Sequence, residues 1–140
     1  MTPAIWAKAH GATTHFPIAL VLASAVFDAA GGVLAGRSVA RELHAAGFWT
    51  MMVGAAGSIA AVGSGLLMTK GAILGHDALR MHHLFVWPAF GLLISVATWR
   101  TLAGRRMTRP MLGGYLLAVA VLAALITAAG YYGGELMMAR

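Results

Sequence analysis

Four long apolar runs alternate with short polar breaks along the chain, and that alternation predicts its elements. Each run is long enough to cross about 30 Å of hydrocarbon at about 1.5 Å of rise per residue. The first helix is predicted over residues 14–35, with Thr13 or Thr14 as N-cap and Pro17 in the first turn, where a missing N–H costs nothing. The second is predicted over 45–69 and the third over 80–102, with Ala78 or His82 as alternative starts. The fourth starts at Arg109-Pro110 and is predicted over 110–132. The breaks are short, so consecutive helices are expected to be antiparallel neighbours. The expected fold class is an all-α integral membrane protein: one domain over residues 1–140, built as a four-transmembrane-helix up-down-up-down bundle.

Composition supports this picture. The chain is 60% hydrophobic and 10% charged, with mean hydropathy +0.80. A soluble domain carries about a quarter charged residues and needs them to cover its surface. The bilayer is therefore the first expected partner. The apolar stretch near the N-terminus is broken by Asp28 and preceded by a weak basic region, so it reads as a retained anchor rather than a cleaved signal.

The net charge is +6. In a soluble protein that excess would suggest nucleic acid, but here the arginines lie in short breaks between apolar runs, where they set orientation. Arg37, Arg41, Arg100, Arg105, Arg106 and Arg109 fall on one side, against Lys8, Lys70, Arg80 and Arg140 on the other. The expectation is a bacterial inner-membrane protein with the arginine-rich side in the cytoplasm and both termini in the periplasm.

There is no cysteine. Disulfides, thiolate metal sites and covalent haem attachment are excluded for this chain. A cofactor would have to be held by histidine, methionine, a carboxylate or the backbone. No hydrolytic triad or phosphate loop is present, and the glycine-rich GAAGS follows no strand, so it is no dinucleotide fingerprint.

The histidines carry the chemistry. His10, His15, His76, His82 and His83 all map to the end of the bundle that bears the termini, and only His44 maps to the other. Neutral imidazole ligates haem iron, zinc and copper. Helices one and three are diagonal in such a bundle, so an imidazole from each could oppose across the core. The favoured pair is His15 with His83, which shares a face with Trp87, Phe90 and Ile94; His82, about 100° around the helix, is the alternative. This pattern suggests haem b in a small b-type cytochrome-like electron-transfer subunit, working with other membrane or periplasmic redox subunits and with quinone. A copper or zinc site from His10, His15, His76, His83 and Glu135 is a second reading. A cofactor-free accessory subunit of a larger respiratory or photosynthetic complex is a third. All three favour a subunit over a stand-alone enzyme.

Other positions stand out. Tyr131, Tyr132 and Glu135 close the fourth helix beside the histidines. Asp28 lies mid-run, about 20 Å along the axis from His15, where a carboxyl must be paired, neutral or hydrated. It is expected to face inward, either handling protons or touching quinone, or else bonded to a neighbouring helix. Gly54, Gly57, Ser58, Ala61 and Gly65 form one small-residue face on helix two, suited to close approach of a backbone or a flat porphyrin.

Together HGATTHFPIAL, the aspartate in VFDAAG, a histidine opening helix three and the closing GYYGGEL resemble a bacterial membrane family, domain of unknown function 2231. The resemblance covers nearly the whole chain and implies a four-helix membrane domain. It points to His10, His15, His82 or His83, Asp28, Gly133, Gly134 and Glu135 as motif positions. Family members often open with His-Pro, whereas Gly11 follows His10 here. Some look fused to Rieske-type iron–sulfur domains, which implies electron transfer near the outer face.

Overall fold

A backbone in hydrocarbon must satisfy its own N–H and C=O groups, and continuous helices do so locally. The computed structural model describes residues 3–103 and 107–138. Among them lie four α-helices: α1 (Pro3–Val33), α2 (Ser38–Met68), α3 (Asp77–Ala103) and α4 (Arg109–Met138). Each is long and apolar enough to cross a membrane. The protein is an all-α, multi-pass membrane protein. Arg105, Arg106 and Arg140, used above for orientation, lie outside the described residues.

The helices run longer than the apolar pattern predicts. α1 starts at Pro3, not near Thr14. The hydroxyls expected to cap it turn back into the helix: Thr13 Oγ1 donates to Ala9 O at 2.8 Å and Thr14 Oγ1 to Gly11 O at 3.2 Å. Bonding of this kind satisfies a hydroxyl mid-helix without ending the helix. Pro17 therefore sits in the helix interior. α2 begins at Ser38 rather than 45, and α4 continues past Gly133-Gly134 to Met138.

α1 packs most closely on α2 and α3 on α4, while the α1–α4 and α2–α3 contacts are sparser and the diagonal backbones stay apart, so α1 and α3 meet only through long side chains among the described residues. The molecule is thus two helical hairpins laid side by side. The small-residue face of α2 makes the first hairpin tight. A Cβ on Gly54 would stand 3.0 Å from Val21 Cγ2 and 3.3 Å from Pro17 O, so only glycine lets α1 come this near. The buried core joins the hairpins halfway down, through Val21, Met51, Leu93, Val96, Tyr115, Val119 and Leu122.

The turns explain where the helices stop. After α2, Gly71 N–H bonds to Leu66 O at 2.8 Å and Lys70 N–H to Leu67 O at 3.4 Å. This is a Schellman ending with Lys70 in the left-handed conformation, at φ 55°. The following loop is tied to α3 by Trp87, whose Nε1–H donates to Ile73 O at 2.7 Å.

Candidate functional site

At the end bearing the termini the hairpins part around a cavity of ≈ 610 Å³. It is lined mainly by apolar side chains, with His10, His15, His82 and His83 among them. Starting α1 at Pro3 places His10 two turns inside the helix. Its Nδ1 lies 2.9 Å from Ala61 O and 3.3 Å from Ser64 Oγ, both on α2. His82 on α3 sends its Nδ1 to Ala129 O on α4, at 2.7 Å. A carbonyl oxygen only accepts, so in both rings Nδ1 carries a proton, and in the neutral tautomer that this selects Nε2 is the acceptor. The two rings face one another across the bundle with centroids 6.5 Å apart and planes at 85°.

Two close approaches hold the rings in place. A Cβ on Gly65 would stand 3.0 Å from His10 Cε1, and one on Gly133 would stand 3.2 Å from His82 Cε1. Gly65 belongs to the small-residue face of α2, and Gly133 to the GGEL close of α4.

The diagonal helices α1 and α3 supply the two facing rings, with His82, the stated alternative to His83, on α3 and His10 in place of His15 on α1. His15 is exposed. Five residues rotate a helix by about 140°, so His10 and His15 cannot share a face. His83 is buried, with 6% exposure, and its ring lies 5.8 Å from that of His82 and 6.1 Å from that of Trp87. Its Nδ1 has no hydrogen-bond partner among the described residues. His76 is exposed in the α2–α3 loop, and Glu135 is exposed on α4. Among the described residues no three histidine or carboxylate side chains gather as a metal-holding group, so the set His10, His15, His76, His83 and Glu135 is not assembled. Tyr132 stacks on Phe85, with centroids 5.6 Å apart and planes at 7°, and joins α3 to α4. Tyr131 is exposed.

The opposite, arginine-rich end holds a second polar group. Asp28 is fully buried, and its Oδ1 accepts from His44 Nδ1 at 2.8 Å and from Arg100 Nη2 at 2.8 Å. Oδ2 lies 2.6 Å from Arg100 Nη1. Arg100 Nη2 also donates to His44 O at 3.1 Å, and its guanidinium lies over the Tyr115 ring, 4.8 Å from the centroid. Ser24 Oγ donates to Gly47 O at 2.6 Å. The serine proton is thereby used, so the Tyr115 hydroxyl donates in the 2.6 Å bond to Ser24 Oγ. All four helices meet here. A Cβ on Gly47 would fall 2.7 Å from Asp28 Oδ2, so glycine is needed for the carboxylate to fit against α2.

Sequence reasoning places Asp28 inward but misses its partners. Arg100 ends an apolar run and reads as a loop-flanking charge; its pairing comes from 72 residues away. The available signal was a lone intramembrane acid, which requires a counter-charge somewhere in the chain. His44, which the sequence places at the end away from the other histidines, is one of its partners. The arrangement ties the hairpins together at the arginine end.

The family model described as "Predicted membrane protein (DUF2231)" matches residues 8–140. The chain belongs to that family. No curated protein and no solved structure matches it.

Proposed function

We propose that this member of the family is a small b-type cytochrome-like electron-transfer subunit, with haem held between His10 and His82. The observation that carries the reading is the facing pair itself. Each ring has Nδ1 tied to a backbone carbonyl, so the neutral imidazole would present Nε2 for ligation. A carbonyl on the far ring nitrogen orients a ligating imidazole and raises its basicity. Two imidazoles that would hold one metal between them must lie close together, because each ligating bond is only about 2.0 Å. The separation here is 6.5 Å. The adjoining cavity of ≈ 610 Å³ falls in the range of cofactor pockets, and its apolar lining suits a porphyrin.

When bound, haem supplies reversible one-electron chemistry. The chain's own residues do the rest. Ala61 and Ala129 hold the imidazoles in one tautomer, Gly65 and Gly133 leave room for the rings, and the apolar walls exclude water. The Asp28–Arg100 pair fixes the hairpins at the far end. His83, beside His82 and buried, would pack against the bound group.

The positive-inside tendency supports a bacterial inner-membrane location with the arginine end in the cytoplasm and the histidine end in the periplasm. A periplasmic or membrane redox subunit would then meet the haem edge. The chain lacks cysteine, so single cysteines at Ser38 and His76 can be labelled with a membrane-impermeant thiol reagent in intact cells. Labelling at position 76 alone is expected.

The central test is the absorption spectrum of the protein purified in mild detergent, oxidised and then reduced with dithionite. Sharp α and β bands are expected, lost in H10A and in H82A and kept in H15A and H76A. Folded protein without a visible spectrum, after growth with ample haem, would overturn the reading. Loss in H15A with retention in H10A would overturn the ligand assignment.

A further inference from the structure

A second cavity of ≈ 530 Å³ lies between α2 and α3 at the arginine end, about a membrane's width from the histidine pair. These two helices pack sparsely, so the groove opens sideways between the hairpins. Its lining is layered along the membrane normal. Ser38, Arg41 and Thr101 stand near the helix ends, while Phe48 and Trp49 form a wall further in. Arg41 and Trp49 are eight residues apart, about 12 Å along the axis. Trp49 is 65% exposed and packs edge-on against Phe48, with ring centroids 5.3 Å apart.

The polar layer favours an anion. α2 starts in this groove, and Arg37 at its N-cap makes no side-chain capping bond; Ala40 N–H turns to Arg37 O at 3.1 Å, which leaves the N–H groups of Ser38 and Val39 and the positive end of the helix dipole to a ligand. Arg41 forms no ion pair among the described residues. Arg100 also lines the groove; it is 3% exposed, and its Nε has no hydrogen-bond partner among the described residues. Glu42 lies at the rim and opposes an anion, and His44 contributes the ring edge not used by Asp28. The wider field is positive, because Arg37 and Arg109 belong to the same end of the bundle. A basic pocket between transmembrane helices, continued by an aromatic wall, matches a headgroup above an acyl chain.

We propose that this groove seats one anionic phospholipid, with its phosphate at the start of α2 beside Arg41 and an acyl chain along Phe48 and Trp49. The lipid would fill the gap that the sparse α2–α3 packing leaves. The proposal is independent of haem, whose site lies at the other end.

The test is thermal unfolding of the delipidated full chain in detergent, titrated with short-chain phosphatidylglycerol, with phosphatidylcholine or with inorganic phosphate. A ligand that binds the native state raises the melting temperature with concentration. Phosphatidylglycerol is expected to stabilise at lower concentration than phosphatidylcholine, and phosphate alone to have no effect. R41Q should weaken the apparent affinity for phosphatidylglycerol about fivefold, as for one lost basic contact at a membrane surface. W49A should weaken both lipids, and neither exposed substitution should alter the fold. Equal stabilisation by the two lipids, an unchanged affinity in R41Q, or full stabilisation by phosphate alone would each overturn the proposal.

Discussion

Replacing Arg100 with methionine tests the polar group that joins the hairpins. Methionine keeps the length of the side chain and removes the charge. The change deletes the 2.8 Å and 2.6 Å contacts to Asp28 and the 3.1 Å bond to His44 O. Asp28 is left fully buried, with the His44 imidazole still 2.8 Å away but no cation in place of the guanidinium among the described residues. Removing one member of a buried ion pair in a soluble protein costs about 3–5 kcal/mol, because the remaining charge stays desolvated. The unfolded chain in a micelle also has to shelter that carboxylate, which trims the difference, so about 2–4 kcal/mol is expected here. D28N should cost a similar amount, since it strands the guanidinium. The double variant D28N/R100M should cost less than the sum of the two by about 1–3 kcal/mol, because each single change already destroys the pair. Reversible unfolding in mixed micelles, titrated with dodecyl sulfate and followed by the fluorescence of the four tryptophans, gives all three values. A cost below about 1 kcal/mol for R100M, or strict additivity in the double variant, would refute the view that this pair holds the hairpins together.

Three further outcomes follow from particular contacts. Y115F removes the hydroxyl that donates to Ser24 Oγ and should cost about 1–2 kcal/mol in the same titration, while leaving the Arg100–Asp28 contacts in place. L122A empties a fully buried core position and should cost about 2–4 kcal/mol, without affecting either polar site. G133A would bring a Cβ to 3.2 Å from the His82 ring; on the haem reading, haem retention measured from the Soret band should fall about tenfold, as for loss of an orienting contact.

Much of the architecture was legible before the fold. The four spans, their order and their antiparallel connection follow from run length and short breaks. The clustering of five histidines at one end follows from connectivity alone. The helix ends were less legible, because Thr13 and Thr14 look like caps until their hydroxyls are seen bonding to Ala9 and Gly11. That difference decides the histidine geometry. With α1 starting at Pro3, His10 becomes a helical residue facing α2, and His15 is left exposed at the edge of the cavity.

What the sequence determined by itself is the class of structure. A chain this apolar can satisfy its backbone in a bilayer only through spanning helices, and short connections leave few ways to arrange four of them. Tertiary structure alone decided which polar side chains meet. These helices are apolar on nearly every side, so no amphipathic stripe marks the inward face of each. Rotation is set by local fit instead: the glycines of α2 admit Pro17 and His10, Gly47 admits Asp28, and Gly133 admits His82. Those fits, between residues far apart in the chain, bring His10 to face His82 and Arg100 to Asp28.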